Sequence, residues 1–375
     1  MRIYFDNAAT TQVAKEAADA AYNAMCENYG NPSSLHSMGL EAEKQVEKAR
    51  AKIAAKLGCK PAELVFTSGG TESDNLAIIG ATLRNARKRR TVICSSIEHP
   101  AVGQAFDYLE KIGYSVLKIK TEPGGSISLS HLETLLSDDV AFVSIMHVNN
   151  ETGCIQPLKE AVEIIRKKAP EALVHSDMVQ SFGKLPMEDV DMASISSHKI
   201  HGPKGVGALY VRGGVKIDPV IFGGGQQNAL RPGTENVPGI VGFGVAADLI
   251  NIEETYRHLS IINEEFKESV QKSIDNIKVN GENTVPHTVN ISFRGIRSEV
   301  LLHTLESNGI MVSSGSACSS NKPAPSPVLT AMGLSRDDVD SAIRFSFSKY
   351  THIDEVRCCC EVLKKEVPLL RRMMR

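Results

Sequence analysis

No run of eighteen or more apolar residues occurs in the 375-residue chain, so nothing in it reads as a membrane-spanning helix. The opening MRIYFDNAATT lacks an apolar signal core, and we expect a cytoplasmic protein. Excess charge is missing too: 42 Lys and Arg against 44 Asp and Glu leave a net −2. That balance gives no general pull toward nucleic acid or a membrane surface. The clusters Arg87-Lys88-Arg89-Arg90 and Arg371-Arg372 read as solvated helix ends. The eight cysteines follow neither a small-domain disulfide pattern nor paired C-x-x-C spacing, and in a reducing compartment free thiols are expected. Cys358-Cys359-Cys360 does not read as a metal site, because adjacent helical residues point about 100° apart. We read that run as helix packing and expect no metal. No internal repeat or low-complexity segment occurs.

What the chain does contain is alternation. Helical spacing over Lys15–Met25 and Gly39–Leu57 brackets a polar loop, Asn28–Ser37. Short β-branched runs then alternate with helical patterns. Strands are predicted at 64–66, 92–94, 116–119, 141–146, 173–175, 193–195 and 207–211, with helices at 71–87, 101–112, 131–136 and 158–168. This pattern predicts an α/β protein with a mostly parallel central sheet covered by helices on both faces. Around Val237–Leu249 it gives way to a long helix and then to a smaller α+β region with strands near 288–293 and 343–347. The expected organisation is a large domain over 14–245 and a small domain over 246–375 that also takes in 1–13.

In such a sheet, ligands bind at the carboxyl ends of the strands. Ser68-Gly69-Gly70-Thr71-Glu72-Ser73 follows a strand and opens a helix. Its glycines allow close backbone approach, its first-turn N–H groups favour phosphate, and Thr71 adds a hydroxyl. Taken alone it is equally a glycine-rich turn with a threonine cap. It is not a P-loop, since no Gly-Lys-Ser/Thr follows. Ser196-Ser197-His198-Lys199 follows another strand, where an enclosed lysine can form a Schiff base. A lone lysine is ordinarily solvated, so Lys199 counts only if other groups converge on it. Asp177 follows the strand at 173–175 and can face a cationic ring nitrogen, with Gln180 one turn on. His99, in Glu98-His99-Pro100, can stack on a ring or move protons, although singly it reads as a structural histidine. Asn149-Asn150-Glu151 offers amides to the same edge.

On these residues the chain resembles the cysteine desulfurases of the class V aminotransferase group over essentially its whole length. The matching stretches are YFDNAATT (4–11), NPSSLH (31–36), FTSGGTESDN (66–75), EHPAV (98–102), HVNNETG (147–153), HKIHGPKG (198–205), RPGTEN (231–236) and SSGSACSS (313–320). The resemblance implies the type I fold of pyridoxal 5'-phosphate (PLP) enzymes. It implies that Lys199 binds PLP covalently, Asp177 faces the pyridine nitrogen, Gln180 the ring oxygen and His99 the ring face. Gly70, Thr71, Ser196 and His198 would line the phosphate, with Thr234 supplied by the partner of a homodimer. Asn149 would touch both cofactor and substrate, and Arg344 would take the substrate carboxylate through a charge-assisted fork. The chain departs from the family at Gln227-Asn228, where relatives carry Glu-Arg, and at Pro232, where they carry Ser.

Cys318 separates a desulfurase from other members of the group. Glycine and small polar residues surround it, which reads as a mobile, exposed loop carried by the small domain rather than core packing. The implied reaction converts L-cysteine to alanine and leaves the sulfur on Cys318 as a persulfide. That sulfur would pass to an acceptor protein, such as an iron–sulfur scaffold or a tRNA-thiolation protein. Alternatives are a related PLP lyase acting on selenocysteine or cysteine sulfinate, or a catalytically silent scaffold that binds partners.

Overall fold

The structure is a computed structural model and describes residues 2–85, 89–314 and 325–373. A two-residue strand, β1 (Ile3–Tyr4), precedes the helices Lys15–Cys26 and Ser37–Leu57. The central strands follow: β2 (Leu64–Thr67), β3 (Thr91–Ser95), β4 (Ser115–Ile119), β5 (Val140–Ser144), β6 (Leu173–Asp177), β7 (Met192–Ser196) and β8 (Gly207–Val211). They form one sheet in the order β2-β8-β7-β6-β5-β3-β4. All pairs from β7 to β4 are parallel, while β8 runs antiparallel to both neighbours. Two reversals restore direction, so β2 ends at the same edge as β7, β6, β5 and β3. That edge is where a ligand would sit.

Fully buried strands such as Val140–Ser144 and Met192–Ser196 carry apolar or small residues on both faces, as covered parallel strands do. One face packs under the helices at 15–26, 37–57, 158–168 and 237–248, through Ile53, Phe66, Ile165, Ile195 and Phe243. The other packs through Leu76, Ile78, Phe106, Leu109, Phe142 and Leu209.

The helical stretch expected over 71–87 is not uniform. It runs as Gly70–Asn75, then one π-helical turn over Leu76–Gly80, then Ala81–Asn85. A side chain at Gly80 would meet the Asp218 carbonyl at 2.3 Å, so this turn packs with backbone against backbone.

The remaining strands are β9 (Ile277–Asn280), β10 (Thr288–Phe293), β11 (Ile310–Met311), β12 (Ser313–Ser314) and β13 (Ala342–Ser346). They make a four-stranded antiparallel sheet, β12-β13-β10-β9, and a parallel β1–β11 pair. A separate apolar cluster backs them, with Phe266, Phe293, Leu301, Phe345 and Leu363 from the helices Ile252–Ser273, Ser298–Ser307 and Ile353–Met373 and their strands. Cys359 and Cys360 belong to this cluster and Cys358 is exposed. Residues 5–11 tie the two sheets together: Asn7 bonds the Ser346 carbonyl, and Thr11 bonds the His198 carbonyl. Among the described residues, no helix is long and apolar enough to cross a membrane.

Candidate active site

Five strand ends deliver side chains to one cleft of about 330 Å³. After β2 come Gly70 and Thr71, after β3 His99, after β5 Met146 and Asn150, after β6 Asp177, Val179 and Gln180, and after β7 Ser196, His198 and Lys199. Ala8 and Ala9 close one wall, and Arg344 of β13 enters from the small sheet. The backbone approaches closely at Gly69 and Gly70. Gly69 has φ 153°, and a side chain at Gly70 would meet Val179 Cγ2 at 2.6 Å.

Lys199 Nζ donates to the carbonyls of Ala8 and Ala9, the latter at 2.8 Å. These neutral acceptors orient the amine. His99 caps the helix Pro100–Lys111, accepting at Nδ1 from the Ala101 N–H at 3.2 Å. That bond assigns the proton of a neutral ring to Nε2. Asp177 Oδ1 accepts from the Val179 N–H at 2.9 Å. Burial pushes its carboxyl up, while His99 and Lys199 pull it back toward the charged form. Ligand atoms of Asp74, His99 and Asp177 lie within 4.8 Å of one another, close enough to converge on one small cationic group. A protonated ring nitrogen is such a group.

His198 Nδ1 lies 3.1 Å from Thr10 Oγ1, and burial with the charges of Lys199, Lys204 and Lys184 pushes its pKa down to about 4. A second cleft adjoins the first through Gly70, Thr71, Ser196 and His198 and adds Ser68, Lys204 and Gly205. Four enclosed atoms on the main cleft have no hydrogen-bond partner among the described residues: Gln180 Oε1, Ser196 Oγ, Arg344 Nε and Asp74 Oδ1. Buried polar atoms are seldom left so, and a polar ligand in the cleft would satisfy them. An amine, an acid for a ring nitrogen, hydroxyls for a phosphate and a guanidinium for a carboxylate together fit PLP carrying an amino acid.

Not every expected residue takes its expected place. Asn149 does not line the cleft. Its Nδ2 donates to the Ile97 carbonyl at 3.0 Å, and its Oδ1 accepts from Glu151 N, Thr152 N and Thr152 Oγ1. The side chain is spent on holding the 149–152 turn, and Asn150 faces the cleft instead. Gln180 gives one Nε2 proton to the Ala8 carbonyl at 2.9 Å, so only the second can reach a ring oxygen. The Arg344 fork is partly occupied, by the Asn150 carbonyl at 2.8 Å and by Asp6 at 2.9 Å. Thr234 is exposed and lines neither cleft of its own chain. Cys318 lies outside the described residues, as do Arg87 and Lys88 of the basic cluster.

Sequence reading missed several ionisable groups around the cleft. Burial pushes Glu98 up to about 8 and Glu151 up to about 7, and the latter accepts the Ser326 hydroxyl at 2.6 Å. Burial, with the charge of Lys199 behind it, pushes Lys184 down to about 7. Asp74 is 1% exposed. The stretches ESDN, EHP and NNET were visible in the sequence, but nothing in them distinguished a buried acid from a helix-cap or turn residue.

The family model for class-V aminotransferases matches residues 3–358. A cysteine desulfurase of Trichormus azollae is 42% identical over 99% of this chain and 94% of its own length. A cysteine desulfurase IscS of Dictyoglomus turgidum is 39% identical over 98% of this chain and 95% of its own. Among solved structures, a NifS-like protein superposes with a TM-score of 0.93 at 39% identity, covering 99% of this chain and all of that one.

Proposed function

The chain belongs to the class-V aminotransferase family, among its cysteine desulfurases, and from that premise we infer that it takes sulfur from L-cysteine onto Cys318 and releases alanine. The observation that supports this reading is a single cleft shared by Lys199, Asp177, His99 and Arg344. Membership implies PLP as cofactor, and when bound PLP supplies an electron sink for the carbon that carries the amino group.

This chain's residues account for the rest. Lys199 Nζ, held between two carbonyl oxygens, attaches the cofactor and is the group that moves the proton at the substrate α-carbon. Asp177 holds a proton on the ring nitrogen, and His99 bounds the site beside it. Thr71, Ser196 and His198 bind the phosphate, His198 as a neutral ring. Arg344 orients the substrate carboxylate through its unpaired Nε. The Cys318 thiolate attacks the substrate sulfur: an S–S bond forms, the C–S bond breaks with its electron pair going to carbon, and protonation there completes alanine.

A homodimer belongs to the same reading. Thr71 and Thr234 are both exposed in one chain, and Tyr29, Leu35 and Phe222 present apolar side chains to solvent. The persulfide sulfur passes to a separate acceptor protein.

The test is to supply purified protein with PLP and L-cysteine and assay alanine against sulfur. Equal amounts are expected. Protein that binds PLP yet releases no alanine from cysteine would overturn the reading.

A further inference from the structure

The floor of the cleft holds two carboxylates where the expected chemistry requires one. Asp74 stands on the helix Gly70–Asn75 and Asp177 at the end of β6, and their oxygens, with His99, fall inside the 4.8 Å grouping. Both side chains are enclosed, at 1% and 6% exposure. Two like charges at that spacing in a low-dielectric floor repel strongly, so the pair holds one charge and one proton.

The surroundings decide which residue keeps the proton. Asp177 faces His99 and Lys199, both of which favour its charge, and accepts a backbone N–H. Asp74 faces Asp177, whose charge opposes its own, and burial outweighs the Ser194 hydroxyl, which favours the charged form. His175 lies 3.7 Å away but offers no compensating cation. It is 0% exposed, is hydrogen-bonded to Ser144 and Ser194, and is held neutral by burial, which pushes its pKa down to about 3. Asp74 Oδ1 has no partner among the described residues.

We propose that Asp74 is a positioning residue for Asp177: carried as the neutral acid, it leaves Asp177 as the single charged carboxylate beneath the cofactor ring. The proposal rests on the PLP reading above for its purpose, though not for the protonation state itself. Two carboxylates with opposite protonation, set by their neighbours, divide the work: one holds charge against the ring nitrogen, and the other keeps that charge from being doubled.

The experiment has two arms. In the first, infrared difference spectra at neutral pH compare wild type with Asp74→Asn. A band from a protonated carboxyl should be present in wild type and lost in the variant, and its absence from the difference spectrum would overturn the proposal. If Asp74→Asn does not fold, Ser194→Ala serves instead. Removing that neighbouring hydroxyl should shift the same band, and an unmoved band contradicts the assignment. In the second arm, the pH midpoint of the bound-cofactor absorbance is compared between wild-type and Asp74→Asn holoenzymes. Replacing a neutral acid by a neutral amide should leave the midpoint in place. Removing a charged carboxylate at this spacing would shift it by about one unit or more, and such a shift sinks the idea. Protein that shows the infrared band but takes up no PLP would count against the functional reading and leave the proton on Asp74.

Discussion

Arg344 of β13 and Asp6 near the N-terminus form a 2.9 Å ion pair although 338 residues separate them, with the guanidinium side chain only 4% exposed. Among the described residues, Arg344 is the cation that lines the cleft from the small sheet, and Asp6 anchors the N-terminal segment to it. Truncating Arg344 to Ala should raise KM for cysteine roughly ten- to a hundred-fold, the effect of losing a charge-assisted hydrogen bond of about 1.5–3 kcal/mol. Asp6→Ala should instead act on stability, costing about 3 kcal/mol by leaving a buried guanidinium unpaired. Steady-state kinetics and urea unfolding on both variants separate the two roles. Equal KM effects from both would remove Arg344 from the substrate.

Lys199→Ala should abolish covalent attachment of the cofactor. Borohydride reduction followed by peptide mass analysis should find PLP fixed to Lys199 in wild type and to no lysine in the variant. Labelling of another lysine, such as Lys184, would reassign the role.

Gly70→Ala places a methyl 2.6 Å from Val179 Cγ2. Overpacking of this kind costs about 1–3 kcal/mol, and here it falls where the phosphate is expected, so PLP affinity should drop. Val179→Ala in the same chain should recover most of the loss. Equilibrium PLP binding to the two single variants and the double variant checks this, and a double variant no better than Gly70→Ala alone would refute it.

Glu98 links stability to pH. Its folded pKa is raised to about 8, chiefly by burial. The folded protein therefore holds a proton that the unfolded chain releases near the ordinary carboxyl value. The stabilisation from that proton is complete below about 4.5 and is lost progressively as pH rises toward 8. Glu98→Gln cannot release a proton, so its unfolding midpoint in urea should match wild type at pH 5 and exceed it at pH 8. A variant that is less stable than wild type at pH 8 would contradict this.

How far these features could be read in advance depended on whether the signal was local. The seven strands of the central sheet are short β-branched or small-residue runs bounded by polar turns, and each was visible from neighbouring residues. The strand-end positions of His99, Asp177 and Lys199 followed from them. The two-residue strands β1, β11 and β12 were not visible, because they exist only through partners distant in the chain: Ile3 pairs with Ile310, and Ser313 with Arg344. Asn149 and Asn150 are adjacent and chemically identical, and only the turn that spends the first side chain inward shows which one faces the cleft. Nothing local marks Asp6 or Asp74, because each acts through partners that the fold brings beside it. Gln227 shows the same limit. Its Oε1 accepts from Phe66 N at 2.9 Å and Arg50 at 3.2 Å, so it ties β2 to the helix Ser37–Leu57.

The most direct test concerns the sulfur itself. Wild-type protein and Cys318→Ala, each loaded with PLP, are given L-cysteine, and the intact mass and alanine yield are recorded. Wild type should gain one sulfur, mapped to Cys318, with matching alanine. The variant should hold PLP with unchanged absorbance and yield neither product. Alanine released by Cys318→Ala at the wild-type rate would contradict the account.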